Sequence, residues 1–225
     1  MGFEPKIDIL PPAQLRFWRE RNSVPGEFVL YDGTAIALRL GHRHSEDFDF
    51  FSSAPFQPAQ LLDALSFGPE AVVLQSEHHT LTLRIDRDGP VKLSFFSGLT
   101  FGQIATPDVM ESQAFTIASL PDLMATKLKV LWQRAEAKDY VDVATIIRAG
   151  VSLEHGLGCA RALFGETFNP AIVLKALTFF DDGDLKTLNS DVRALLIDAA
   201  RSVQEIPPIR CAALRIDAST ESLSG

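Results

Sequence analysis

The sequence predicts an α+β fold: a mixed α/β core over residues 1–117, followed by a helical part over 118–225. Three observations carry this. The 225 residues are 46% hydrophobic and 22% charged, ordinary values for one large domain or two small ones sharing a core. Up to about residue 117, short apolar runs alternate with turns and with two or three helical stretches. Beyond it the apolar period becomes helical and stays so.

The elements follow in chain order. Pro11 and Pro12 precede Ala13 to Trp18, a helix opening with proline in its first turn. Ser23-Val24-Pro25-Gly26 ends it. Phe28 to Tyr31 is a short apolar run that reads as a buried strand. Asp32-Gly33-Thr34 forms a turn and cap before a helix over Ala35 to Leu40, closed by Gly41 as a C′ glycine. Asp47 to Phe51 reads as a strand whose acids share one face while Phe48 and Phe50 take the other. Pro58 to Leu65 reads as a helix. Ala71–Gln75, Thr80–Ile85 and Val91–Phe96 read as strands, the last two joined by an Arg87-Asp88-Gly89-Pro90 hairpin turn. Ser119, with Asp122 three residues on, starts a helix whose period runs through Arg134. Further helical stretches are 139–149, 169–180 and 190–204. The small, polar tail Ala218 to Gly225 is expected to fray.

Charge and composition exclude several classes of function. Lys plus Arg number 21 and Asp plus Glu 29, a net charge of -8. That excludes a protein coating nucleic acid by bulk positive charge and leaves room for a local basic patch. Cys159 and Cys211 are too few for a disulfide framework and sit in no metal-ligand spacing; they read as reduced, partly buried thiols. The start of the chain has no apolar signal-peptide segment, and no apolar run reaches about 18 residues. The expectation is a cytoplasmic protein with no membrane span. No histidine pair has helical metal spacing, and Phe17 and Trp18 read as core.

Two constellations can carry chemistry. In the first, Gly33-Thr34 is followed after twelve residues by Asp47-Phe48-Asp49. Carboxylates at i and i+2 of a strand point the same way, about 7 Å apart at the Cα atoms. That suits one or two Mg²⁺ ions, which take oxygen ligands together with substrate phosphates. A Gly-Thr turn at a helix N-terminus offers free N–H groups to a triphosphate. The same residues also read as a solvated strand face and an ordinary cap. The strand-turn-helix-strand placement of both makes the site more specific. In the second, Lys127, Arg134 and Lys138 are spaced by seven and four and fall within about 40° on one helical face. They read as a phosphate-reaching stripe or as a solvated face. Asp139 and Asp142, at i and i+3, read as a charge pair or as further carboxylates for the same cleft.

Tyr31 to Leu40, then Gly41-His42-Arg43-His44-Ser45-Glu46-Asp47-Phe48-Asp49-Phe50-Phe51, resembles the first motif of the AbiEii/AbiGii toxin family of nucleotidyltransferase-like proteins. Asp122 to Leu128, Arg134, and Lys138-Asp139-Tyr140-Val141-Asp142-Val143 resemble its second. The resemblance covers roughly residues 28 to 148. It implies a polymerase-β-like nucleotidyltransferase core with a helical C-terminal part. It implies Mg²⁺ on Asp47 and Asp49, and nucleotide phosphates at Gly33, Thr34 and Lys127. Arg134 and Lys138 would support phosphate binding, and Asp139 or Asp142 would complete the cleft. It further implies a nucleoside triphosphate substrate, an RNA acceptor and a separate antitoxin partner. Two positions depart from the pattern. Asp32 stands where the family has its first glycine. Ser94 stands where many nucleotidyltransferases carry a third acid, and a serine cannot act as a carboxylate base. The alternative reading is therefore a degenerate nucleotide-binding or partner-binding protein without transferase activity.

Overall fold

The computed structural model describes residues 4–109 and 115–216, so the expected frayed tail from Ala218 lies outside the described residues. The chain forms two compact units. The first comprises Met1–Gly102, Thr106–Ala118 and Ala213–Gly225, and the second Gln103–Ala105 and Ser119–Ala212. Asp122 explains the short excursion at 103–105: its carboxylate accepts from the backbone N–H groups of Ile104 (2.7 Å) and Ala105 (3.1 Å). The segment from Ala213 returns to the first unit, where Ile216 N–H donates to Ser53 Oγ at 2.7 Å.

The first unit is built on one seven-stranded sheet. Its strands are β1 (Val29–Tyr31), β2 (Asp47–Phe51), β3 (Val72–Glu77), β4 (Thr80–Asp86), β5 (Pro90–Phe96), β6 (Asp108–Val109) and β7 (Thr116–Ile117), in the order β3-β4-β5-β2-β1-β7-β6. The pairs β2–β5 and β1–β7 are parallel and the rest antiparallel. The unit's helices are α1 (Pro12–Arg19), α2 (Asp32–Leu40) and α3 (Pro58–Ala64).

Period-2 patterning decides which face is the core. Phe48 and Phe50 of β2, Leu93 and Phe95 of β5, and Leu81 and Leu83 of β4 are in register and fully buried. Phe17 from α1 meets Phe48 edge-on at 4.8 Å, and Phe50 stacks on Phe95 at 5.2 Å. Burial of this aromatic set, at about 25 cal/mol per Å² of apolar surface, locks the strand faces. Asp47 and Asp49 are thereby turned to the opposite, polar face.

Three local expectations hold in detail. Proline opens α1. Gly41 closes α2 in the left-handed conformation (φ 67°), its N–H bonded to Ala37 O. Ser119 caps α4 (Leu120–Leu131), accepting from Asp122 N–H. The Asp88-Gly89 turn is also as read, with positive φ at both residues.

The second unit is helical: α4, α5 (Ala137–Arg148), α6 (Leu153–Phe164), α7 (Pro170–Ala176) and α8 (Ser190–Ser202). Two readings are corrected. The helix from Leu120 stops at Leu131, so Arg134 lies in the turn before α5 and Lys138 on α5 itself. The stripe of three cations on one helix face does not exist as such. Helix α6 went unread because Gly156 and Gly158 lower its intrinsic propensity. Packing overrides that. A Cβ at Gly156 would stand 2.5 Å from Met124 Cγ of α4, and one at Gly158 2.6 Å from the Pro207 carbonyl. Both glycines let neighbours approach the helix closely. Among the described residues no helix is long and apolar enough to cross a membrane.

Gly158→Ala is expected to lower the melting temperature in a circular-dichroism melt by several degrees. Alanine improves helix propensity by about 1 kcal/mol, but overpacking against a backbone carbonyl costs about 1–3 kcal/mol. An unchanged or raised melting temperature would show that the strap at Pro207 yields freely.

Candidate functional site

On the first unit, β1 runs straight into α2. The turn is made by Asp32, which adopts φ 57°, a conformation an aspartate tolerates better than most residues. Helix α2 then begins beside β2, with its first N–H groups lacking intrahelical partners. Thr34 is buried, and its hydroxyl is hydrogen-bonded to the Asp47 backbone carbonyl and to Ser45 Oγ (2.8 Å). The predicted threonine thus fastens the start of β2 to the start of α2 and leaves only its backbone towards any ligand. Gly33 has no room for a side chain: a Cβ there would stand 2.4 Å from Arg43 Nη2. The glycine lets the Arg43 guanidinium lie against the helix N-terminus.

Asp47 and Asp49 share the polar face of β2. Register places Lys92 of β5 beside Asp47 and Ser94 beside Asp49. Lys92 Nζ pairs with Asp47 Oδ2 at 3.3 Å, both side chains about half exposed, an arrangement worth little in stability. Asp49 is more enclosed. Burial pushes its carboxyl up to about 6, helped by the nearby charges of Asp32 and Asp47; a hydrogen bond from Ser94 and the charge of Lys92 oppose the rise. Three carboxylates thus crowd one spot with one lysine on their face. The fold adds Asp32, Lys92 and Arg43 to the site residues expected from the sequence. The signal for Lys92 was its alternation with Ser94 along a strand, and Arg43 sat inside the first motif. His44 serves elsewhere, its Nδ1 bonded to Ile9 O at 2.9 Å.

Among the described residues no group of three or more His, Cys, Asp or Glu side chains is arranged as a metal cage. The Asp47–Asp49 pair matches Mg²⁺ in another way. It offers hard oxygen donors in the number Mg²⁺ takes when water and phosphate fill its other positions, and its mutual repulsion is what a cation relieves.

On the second unit, the turn after α4 and the first turns of α5 bring Lys127, Arg134, Asp139 and Asp142 together. Lys127 is 1% exposed, and its ammonium pairs with Asp139 (2.7 Å) and Asp142 (3.0 Å), both fully buried. Arg134 reaches Asp139 at 2.8 Å and Glu136 at 3.4 Å. Burial alone would raise the Asp139 pKa; the Arg134 hydrogen bond and the Lys127 charge outweigh it and hold the carboxyl below the usual range. Lys138 stands apart, half exposed and paired with Glu136 at 2.9 Å. Four predicted site residues therefore form one ionic cluster with balanced charge. Cys159 and Cys211 are free thiols, and burial pushes Cys159 up to about 12, which keeps it protonated and unreactive.

A family model described as nucleotidyl transferase AbiEii toxin, type IV toxin–antitoxin system, matches residues 16–203. An uncharacterized protein of Aquifex aeolicus is 27% identical over 159 residues, covering 69% of this chain and 75% of that protein. Among solved structures, a candidate nucleotidyltransferase from H. pylori superposes with a TM-score of 0.55 at 17% identity, covering 83% of this chain and 91% of the other. MenT4, a nucleotidyltransferase toxin from Mycobacterium tuberculosis, superposes with a TM-score of 0.53 at 12% identity, covering 86% and 85%. These two likenesses are of fold.

Two outcomes are expected. Asp49 pays a charging penalty in the folded state that is full above about pH 6 and vanishes towards pH 4. Metal-free Asp49→Asn protein should be about 3 kcal/mol more stable than wild type at pH 7.5 in urea unfolding, with the gap narrowing to about 1 kcal/mol at pH 4.5; a gap that is absent or reversed at pH 7.5 contradicts the cluster. Lys127→Met takes the ammonium away from buried Asp142 and leaves Asp139 with Arg134, and it should cost about 3–5 kcal/mol of stability at neutral pH. A loss below about 1 kcal/mol would show that water reaches Asp139 and Asp142.

Proposed function

The chain belongs to the AbiEii nucleotidyltransferase toxin family, and from that premise we propose that it transfers a nucleotidyl group from a nucleoside triphosphate to an RNA acceptor in the cytoplasm, with Mg²⁺ held by Asp47 and Asp49 and a cognate antitoxin as its protein partner. The observation that carries the reading is the placement of the crowded carboxylate pair beside the N-terminus of α2. Asp47 and Asp49 would hold Mg²⁺, which would supply neutralisation of phosphate charge while an acceptor hydroxyl attacks the α-phosphorus in line and pyrophosphate leaves with the broken α–β bond.

The chain's own residues supply the rest. The α2 N-terminus presents backbone N–H groups and the positive end of its dipole to phosphate oxygens. Arg43, seated against Gly33 with Nη1 donating to the His44 carbonyl, adds positive charge at the same end. The Thr34 hydroxyl holds this helix end to β2, so phosphate donors and carboxylates keep a common frame. Lys92 offsets part of the negative charge before substrate arrives. Ser94 orients Asp49 through its hydrogen bond.

One observation favours a second reading. Ser94 is in register with Asp49, at the position where the resemblance leads one to expect the third acid of many nucleotidyltransferases, so a protein that binds nucleotide without transferring it also fits. Incubation with labelled triphosphates, Mg²⁺ and total RNA distinguishes the two. Transfer predicts label on RNA, lost by about 10³-fold or more in Asp49→Ala, the scale expected when a charge-organising group is removed. Saturable, Mg²⁺-dependent nucleotide binding with no incorporation would establish the second reading and end the first.

A further inference from the structure

Strand β3 lies at the edge of the sheet, and all six of its residues are exposed. Val72, Val73 and Leu74 are adjacent and 49%, 42% and 48% exposed. A sheet edge with three consecutive large aliphatic residues offers unpaired backbone groups and apolar surface together. Lysine and proline, which usually blunt such an edge, are absent from Val72–Glu77. Its one irregularity is a bulge: pairing with β4 passes from Val73–Leu83 to Gln75–Thr82, skipping Leu74. The bulge sets the facing of the strand. Val72, Gln75 and Glu77 are in register with Arg84, Thr82 and Thr80 on the polar face. Val73 and Ser76 are in register with Leu83 and Leu81 on the apolar face.

We propose that β3 pairs antiparallel with β3 of a second copy of this chain about a two-fold axis normal to the sheet, joining two seven-stranded sheets into one. Pairing centred on the Leu74–Gln75 peptide sets Val72 opposite Glu77 of the second copy and Val73 opposite its Ser76. Each pair then joins residues of the same face, as a continuous sheet requires. Charge complementarity selects a second copy over another protein. Arg84 neighbours Val72 on β4, so Glu77 of the second copy lies two strand spacings from Arg84, about 10 Å between Cα atoms, within reach of an arginine and a glutamate. Both residues are exposed in the single chain. The two-fold repeats the pair, so the strand carries its own complement: an acid at one end and a cation beside the other. An isologous contact of this kind closes on itself and makes a dimer instead of a fibre. The inference stands apart from the proposed activity, since it holds or fails whether or not nucleotide is transferred.

Sedimentation equilibrium of the full chain at micromolar concentrations should give about twice its mass of 24.7 kDa. Glu77→Arg and Arg84→Glu should each weaken dimerisation about tenfold by placing like charges together twice, and the double variant should restore it. Val73→Lys should give a monomer with an unchanged circular-dichroism spectrum. A wild-type chain that stays monomeric at tens of micromolar overturns the proposal. So does a dimer whose single and double charge variants all associate like wild type, because its interface then lies elsewhere.

Discussion

The burial of Phe48 and Phe50 is the constraint from which the candidate active site follows. Both side chains are fully buried against Phe17, Phe95 and Phe115, and side chains alternate along a strand. Asp47 and Asp49 therefore have no choice of face. The parallel pairing with β5 does the same for Lys92 and Ser94, because Leu93 and Phe95 are committed to the core. Two carboxylates, a lysine and a serine are gathered on one surface by the packing of apolar residues on the other. A slip of one residue in this register would bury the acids and expose the aromatics, so the precision of the site rests on the core.

The second unit uses charge differently. Lys127, Asp139 and Asp142 are removed from water almost completely. Taking ions out of water is costly, and only mutual pairing with good geometry offsets it. The Arg134 contact to Asp139 adds a second cation at the margin. This cluster joins α4, the turn after it and α5 by ionic contacts where the neighbouring helical contacts are apolar. Its energetic signature is therefore asymmetric: the intact set adds little, whereas a broken set leaves a buried uncompensated charge.

Much of this was legible in the sequence for specific reasons. The β2 strand was read residue for residue because acid-phenylalanine alternation has a strict period of two. Helix α2 was bounded correctly by Gly41, since a left-handed C′ position favours glycine. Ser119 and Asp122 announced α4 because a capping pair is local chemistry. Helix α6 was not legible, because Gly156 and Gly158 argue against a helix until Met124 and Pro207 are seen pressing on them. The end of α4 at Leu131 was missed because the apolar period continues across a turn. Strands β6 and β7, two residues each, are too short to show a period at all.

The sequence by itself determined the local elements, the faces of the strands and the family, because each depends on neighbouring residues or on an ordered motif. Tertiary structure alone decided what each charged side chain meets. It gathered Asp32 with Asp47 and Asp49, seated Arg43 against Gly33, turned the Thr34 hydroxyl inward, and gave Lys127 two buried carboxylate partners. Electrostatic environment depends on burial and on residues distant in the chain. A carboxyl pushed up to about 6 and one held below the usual range are the same residue type, separated only by what the fold places around them.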